Sequence, residues 1–333
     1  MKLIPILILS AWSCALVPTS AIAAAAPCAL SQADQAWLDE AMIAWNYTSS
    51  AITGIGHVKN IKAVFFDDKC VVTSTTAMNG GPAQWEAQEH SGEVTMPDGE
   101  KIPAGVTSFA SADDKVTYFA MSTPSVWRTA VKSHNGLGSL EKLMTAVVLH
   151  EASHVSQVPT YGKRIGALST KHKLPDDFND DSIQKRFESN AEFKASIGRE
   201  VDNMIAAATA RDLAEAVRLA NAARSMIKAR QARWFKGSDA YLAEAEDIWL
   251  SFEGSAQWAA YQWLIDPRGG GIDPRAAFGS FGWHGKWWSQ NEGFALFMAL
   301  DRLAPGDWKK HAFGDGAKTI LEMLDEAIAR TPN

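Results

Sequence analysis

Apolar positions recur along this chain with two different periods, and the change between them divides it. Ser31 to Trp45 carries Ala36, Trp37, Met42 and Ile43 at helical spacing, which predicts a helix with those residues on its buried face. From Ile61 short extended runs follow: Ile61 to Phe66, Cys70 to Met78, Glu93 to Met96, and Val116 to Ser122. Asp67-Asp68, Pro97-Asp98-Gly99 and Ala112-Asp113-Asp114 supply the turns between them. A small, largely antiparallel sheet is the expectation.

Helical character returns at Leu137 to Gln157, with Ser139 placed to cap its start. A loop containing Pro159, Gly162 and Gly166 then leads to Pro175. Beyond it, Asp181 to Ala208 and Arg211 to Phe235 predict a helical hairpin, with Thr209 to Asp212 as the capping signal of its second arm. Ser238 is expected to cap a helix running to Ile265 and ended by Asp266-Pro267. The glycines of Arg268 to Gly271 lack the lysine and serine of a phosphate cradle. A tryptophan-rich stretch from Trp283 feeds a last core helix through Leu303. The resulting division is a leader (1–26), an α+β lobe (27–172), a helical insertion (173–236) and a helical C-terminal lobe (237–333).

The leader changes the picture of where the chain works. Lys2, an apolar run and the small-residue site Ala21-Ile22-Ala23 have the form of a secretory signal and not of a membrane span. The expectation is an exported protein, periplasmic or secreted, without stable membrane insertion after cleavage. Losing Lys2 would leave a net charge of −7, and a modest acidic balance without a basic patch argues against nucleic acid as a partner. Of three cysteines, Cys14 lies in the leader, so Cys28 and Cys70 remain, the number that makes one bridge in an oxidising compartment. Two cysteines are too few for a thiolate zinc site, which leaves histidines and carboxylates as metal ligands.

The chemistry concentrates in His150-Glu151-Ala152-Ser153-His154. On a helix, residues four apart point the same way, so both imidazoles can reach one metal ion while Glu151 sits about 100° around the axis. Neutral imidazoles suit Zn2+, and a neighbouring carboxylate suits a general base. The run VVLHEASHV resembles the metal-binding helix of the zincin metallopeptidases, departing at Ser156, where that family's longer pattern is usually apolar.

The resemblance implies an α+β zincin-like fold, a Zn2+ cofactor, a peptide or protein substrate, and an edge strand that binds the substrate backbone. Val116 to Ser122 is the candidate for that strand. Among zincins, the gluzincin branch takes its third ligand from a carboxylate on a later helix, and two Glu-Gly pairs qualify. Glu253, in IWLSFEGSAQWAAY, is similar to the W-x-x-E-G-x-A segment of several bacterial gluzincins. Glu292, in WWSQNEGFALF, resembles the N-E-G-F-A segment of the branch's aminopeptidases. They lie 99 and 138 residues beyond His154, farther than is usual in the family. Gln257, one turn after Glu253, can accept the free N–H of a metal-bound imidazole, whereas Leu296 after Glu292 cannot, which favours Glu253. Tyr261 and His284 are candidate donors to the oxyanion. The leading function is therefore a zinc metallopeptidase. A peptidase-like protein that only binds metal or a partner, and a zinc hydrolase of a non-peptide amide or ester, are the alternatives.

Overall fold

Strand β1 (Ile61–Phe66) is an almost unbroken apolar run, as expected of a strand covered on both faces. In a computed structural model describing residues 28–55, 61–75, 84–112, 116–130, 138–280 and 286–330, it occupies the middle of a five-stranded sheet. The leader 1–26 lies outside the described residues. The strands are β1, β2 (Cys70–Ser74), β3 (Trp85–Glu89), β4 (Glu93–Thr95), β5 (Lys101–Pro103), β6 (Ser108–Ala112) and β7 (Thr117–Ser122). Spatial order in the main sheet is β3-β2-β1-β7-β6, antiparallel except for the parallel β1–β7 pair. The fold is thus α+β with a small, mostly antiparallel sheet.

The β4–β5 hairpin forms a separate two-stranded sheet. It lays Val94, Met96 and Ile102 over Val64, Phe66 and Tyr118, closing one face. The opposite face, with Ile61, Ala63, Phe65 and Phe119, belongs to the main core shared with the helices. Edge-to-face contacts of Phe65 with Trp37, Trp85 and Phe119 fill that layer.

Two sequence expectations require correction, one about the sheet and one about the first helix. Val116 to Ser122 is not an edge, because β7 is paired on both sides; β6, which was not anticipated, is the edge beside the helices. Its run Ser-Phe-Ala-Ser-Ala is too small and weakly apolar to stand out as a strand. Ile43, expected on the buried face of the first helix, is 69% exposed, whereas Trp37 and Met42 are buried.

The helices are α1 (Gln32–Tyr47), α2 (Pro124–Trp127), α3 (Leu140–Gln157), α4 (Lys163–His172), α5 (Ser182–Phe187), α6 (Ala191–Ala208), α7 (Leu213–Trp234), α8 (Leu242–Ile265), α9 (Pro274–Ser280), α10 (Trp288–Leu303) and α11 (Ile320–Arg330). Side-chain caps define several starts: Ser31 accepts from Asp34 N, Ser139 from Lys142 N and Asn190 from Phe193 N. Asn190 explains why the expected single helix from Asp181 divides into α5 and α6. At α7 the cap is Asp212 itself, accepting from Glu215 N. Ser238 does not cap α8; it lies in a 3-10 turn, and α8 begins at Leu242 without a side-chain cap. The expected loop after Gln157 is instead a π-turn (Val158–Gly162) running into α4. Pro159 falls in the first positions of that turn.

Helix α3 joins the two halves. It packs on β6 and β7 from one side and on α8 from the other, while α8 and α10 form the most extensive helix pair. Gln157 ties α3 to the helical half by donating to Ser255 Oγ (2.6 Å) and to the Ala312 carbonyl (2.8 Å). Trp37 of α1 donates its indole N–H to Glu141 O and Thr145 Oγ1, both at 3.2 Å, and so fixes the opposite end.

Candidate metal centre

Histidines four apart on α3 turn the same edge toward α8, where Glu253 faces them. His150 Nε2 and His154 Nε2 lie 2.9 Å apart, and the Glu253 oxygens stand 3.2 Å from the first and 3.4 Å from the second. All three residues are buried. Among the described residues this is the group of three or more His, Cys, Asp or Glu side chains whose donor atoms converge closely enough to hold a metal ion. Donors at about 2.0–2.1 Å around a tetrahedral ion would stand roughly 3.3 Å apart, close to the separations found here. Both Nδ1 atoms are buried without a hydrogen-bond partner among the described residues, so no bond there dictates the orientation of either ring. His154 is instead held by stacking on Phe252, 4.2 Å between ring centres and 5° from parallel. Two imidazoles and a carboxylate, with no sulfur, form a set that suits zinc.

The electrostatics match a site built for positive charge. Burial pushes the Glu253 carboxyl up, but His154 and His150 beside it outweigh that and hold it well below the ordinary carboxylate range. Burial lowers His150, yet hydrogen bonding and the charge of Glu253 carry it above its usual value. Asp180, on the segment before α5, faces the same space and is pushed up to about 7 by burial and then by the Glu253 charge.

Glu292 is placed elsewhere. It accepts from Arg230 Nη2 at 3.0 Å, while the same guanidinium binds Glu200 Oε2 (2.8 Å) and Glu246 Oε1 (2.5 Å). All four side chains are buried. The two Glu-Gly pairs are nonetheless structurally related, because Gly254 and Gly293 form the crossing point of α8 and α10. A Cβ on Gly293 would come within 2.6 Å of Leu250 O and 2.8 Å of Gly254 Cα. The crossing sends Glu253 toward α3 and Glu292 toward α7.

The remaining candidates divide. Glu151 is buried and lines the cleft with His150. Gln257 lies beside the His150 ring and favours its charged form, but no hydrogen bond reaches His150 Nδ1. Tyr261 does not enter the cleft; its hydroxyl reaches the Pro274 carbonyl at 3.5 Å, and its ring packs between Phe278 and Phe294. Eight residues along α8 carry it about 12 Å up the axis and about 80° around it from Glu253. His284 lies outside the described residues. Cys28 and Cys70 are bridged, with Cα atoms 5.7 Å apart.

Two compartments open around the site. One, of about 260 Å3, is lined by Trp127, Leu143, Ala146, Val147, Gln257 and Trp287. The other, of about 460 Å3, lies along β6 and is closed by His154, Ile165, Asp180, Trp249, Phe252 and Glu253. Ser108, His150, Glu151 and Gln290 line both. Thr107 O accepts from Ser122 N, so the antiparallel alternation turns the N–H and C=O groups of Ser108, Ala110 and Ala112 away from β7. Sequence reasoning did not assign β6, Asp180 or Gln290. Gln290 stands two residues before Glu292 in the segment already singled out, but nothing in a lone glutamine marks it as facing a cleft.

No protein-family model matches this chain, and neither a curated protein nor a solved structure is significantly similar to it.

Proposed function

We propose that this protein is a zinc-dependent peptidase, with His150, His154 and Glu253 holding the metal and Glu151 acting as general base. The observation that carries the reading is the convergence of those three donor groups beside Glu151 in an open cleft. A bound Zn2+ would supply Lewis acidity, making a water more acidic and a carbonyl more electrophilic. Glu151 then takes the proton of the attacking water and returns it to the leaving nitrogen as the C–N bond breaks. Metal storage alone would not require that carboxylate. The outward-facing backbone of β6 supports a peptide over another amide or ester, since an extended chain can pair with such an edge.

Export belongs to the same proposal. The leader has the form of a secretory signal, and the Cys28–Cys70 bridge is what an oxidising compartment permits. Among the described residues no helix is long and apolar enough to cross a membrane.

Metal analysis together with Glu151→Gln tests the reading. About one zinc per chain, retained by Glu151→Gln while hydrolysis of a mixed peptide library falls by roughly 10²-fold or more, is the expected result. A wild-type protein that purifies without metal and does not take up zinc would end it.

A further inference from the structure

We propose that Gln290 is a further catalytic residue of this reaction, donating its Nε2–H to the substrate oxygen that gains negative charge. The inference rests on the hydrolase reading above. A group attacked by a water that Glu151 deprotonates must lie within hydrogen-bond reach of Glu151, which places it where the two compartments meet. Among the described residues, Ser108, His150, Glu151 and Gln290 line that junction. Their chemistry is distinct. His150 is committed to the metal through Nε2, Glu151 accepts protons, and Ser108 belongs to the strand edge whose backbone can hold an extended chain. Gln290 is the neutral side chain with N–H groups to give.

Its surroundings suit that task. Among the described residues no group hydrogen-bonds to the Gln290 carboxamide, although the side chain is half-buried. Its neighbours, in contrast, are engaged. Trp288 N donates to Gln184 Oε1 at 2.9 Å, Ser289 Oγ reaches Asp180 Oδ2 at 3.4 Å, and Glu292 is bound by Arg230. Gln184 also donates to the Lys286 carbonyl at 2.8 Å, so one side chain grips the backbone on both sides of Trp287. The first turn of α10 is therefore pinned while Gln290 is left facing the cleft. That turn also carries the partial positive charge of a 16-residue helix's N-terminal end. A donor carried on a pinned turn in a partly dry site stabilises developing charge with little reorganisation of the backbone. Tyr261, one of the two candidate donors from sequence, is occupied at Pro274 instead.

As the water oxygen bonds to the carbonyl carbon, the π electron pair moves onto the carbonyl oxygen and the water's proton moves to Glu151. Gln290 stabilises that oxygen by hydrogen bonding and transfers no proton. When the C–N bond breaks, the electron pair returns to form the product's C=O and the amine leaves with the proton from Glu151.

The zinc-loaded full chain is the material for the test. Gln290→Leu removes the donor, and Gln290→Glu keeps the length and polarity while replacing donor by acceptor. With a fluorogenic peptide cleaved by the wild type, both variants should lose roughly 10²- to 10³-fold in kcat with KM changed only a few-fold. Zinc content and thermal midpoint should be unchanged. A phosphinic pseudopeptide, whose tetrahedral anionic phosphorus mimics the charged oxygen, should bind both variants more weakly by a comparable factor. Wild-type kcat in either variant overturns the proposal. So does a loss of kcat accompanied by loss of zinc, which would make Gln290 a structural residue. A zinc-loaded wild type that cleaves no peptide in a mixed library removes the peptidase reading, and this proposal with it.

Discussion

Gly254 and Gly293 bring α8 and α10 together backbone to backbone, so the carboxylate that Glu253 turns toward His150 and His154 is positioned by a contact that no side chain mediates. Gly293→Ala forces a methyl group against Leu250 O and Gly254 Cα. The helices must separate, at a cost of roughly 1–3 kcal/mol, and Glu253 must move with α8. Chemical denaturation should show that loss, and a chelator competition should show weakened zinc binding. Gly166→Ala, in α4, where a Cβ meets nothing within 4 Å, serves as the control and should be neutral or slightly stabilising. Equal behaviour of the two variants would contradict the argument.

The two Glu-Gly pairs give opposite outcomes on truncation. Glu253→Ala leaves two imidazoles as the protein's ligands, and zinc stoichiometry should collapse at micromolar free metal. Glu292→Ala should keep the metal but lower the thermal midpoint, because Arg230 loses one of three partners in a buried cluster. Elemental analysis after gel filtration distinguishes them, and metal lost only from Glu292→Ala would reverse the assignment.

How far these assignments were legible in sequence follows from how local their causes are. The clamp of His150 and His154 depends on helical spacing within five residues, and Ser139 announces the helix that carries it. Glu253 required more, because its place depends on the crossing of two distant helices, and a Glu-Gly pair has the same local form whether it faces the two histidines or Arg230. Arg230 itself carried no signal, since a lone arginine in a mixed-charge helix looks solvated. The strand edge was misplaced because β7 is the more apolar run, and apolar content reports burial on both faces. That is the mark of an interior strand, not of an edge.

Reduction of the Cys28–Cys70 bridge should cost stability through the unfolded chain. Its sequence separation of 42 residues corresponds to a loop-closure contribution of about 4 kcal/mol. The Cys28→Ala/Cys70→Ala double variant should unfold at lower denaturant with zinc content unchanged, since the bridge joins the segment before α1 to β2 and includes none of His150, His154 and Glu253. An unaltered midpoint would mean that the unfolded state is already restrained.

Asp247 provides a pH dependence of known sign. Burial pushes its carboxyl up to about 6, against hydrogen bonds from Thr319 Oγ1 (2.6 Å) and Leu321 N (3.2 Å) at the start of α11. A carboxyl with a raised value in the folded state favours folding when protonated. Its contribution is complete below the unfolded value near 4 and is lost as pH rises through about 6. The stability of the wild type relative to Asp247→Asn should therefore fall by roughly 3 kcal/mol at most between pH 4 and pH 7 and then level off. Paired urea titrations at those values check it, and a difference that rises with pH would refute the assignment.

The guanidinium of Arg230 also decides what kind of unit the helical insertion is. Residues 173–236 follow one another in sequence and resemble a module that could be gained or deleted whole. Yet Arg230, near the end of α7, supplies the cation to Glu246 on α8 and Glu292 on α10, both outside the insertion. Excision would strip two carboxylates of their counter-charge and uncover the face of α10 on which α6 packs. The insertion and the C-terminal lobe can be exchanged only together, so a shortened form of this protein has to rewrite the buried face of α10 before it can dispense with α6 and α7.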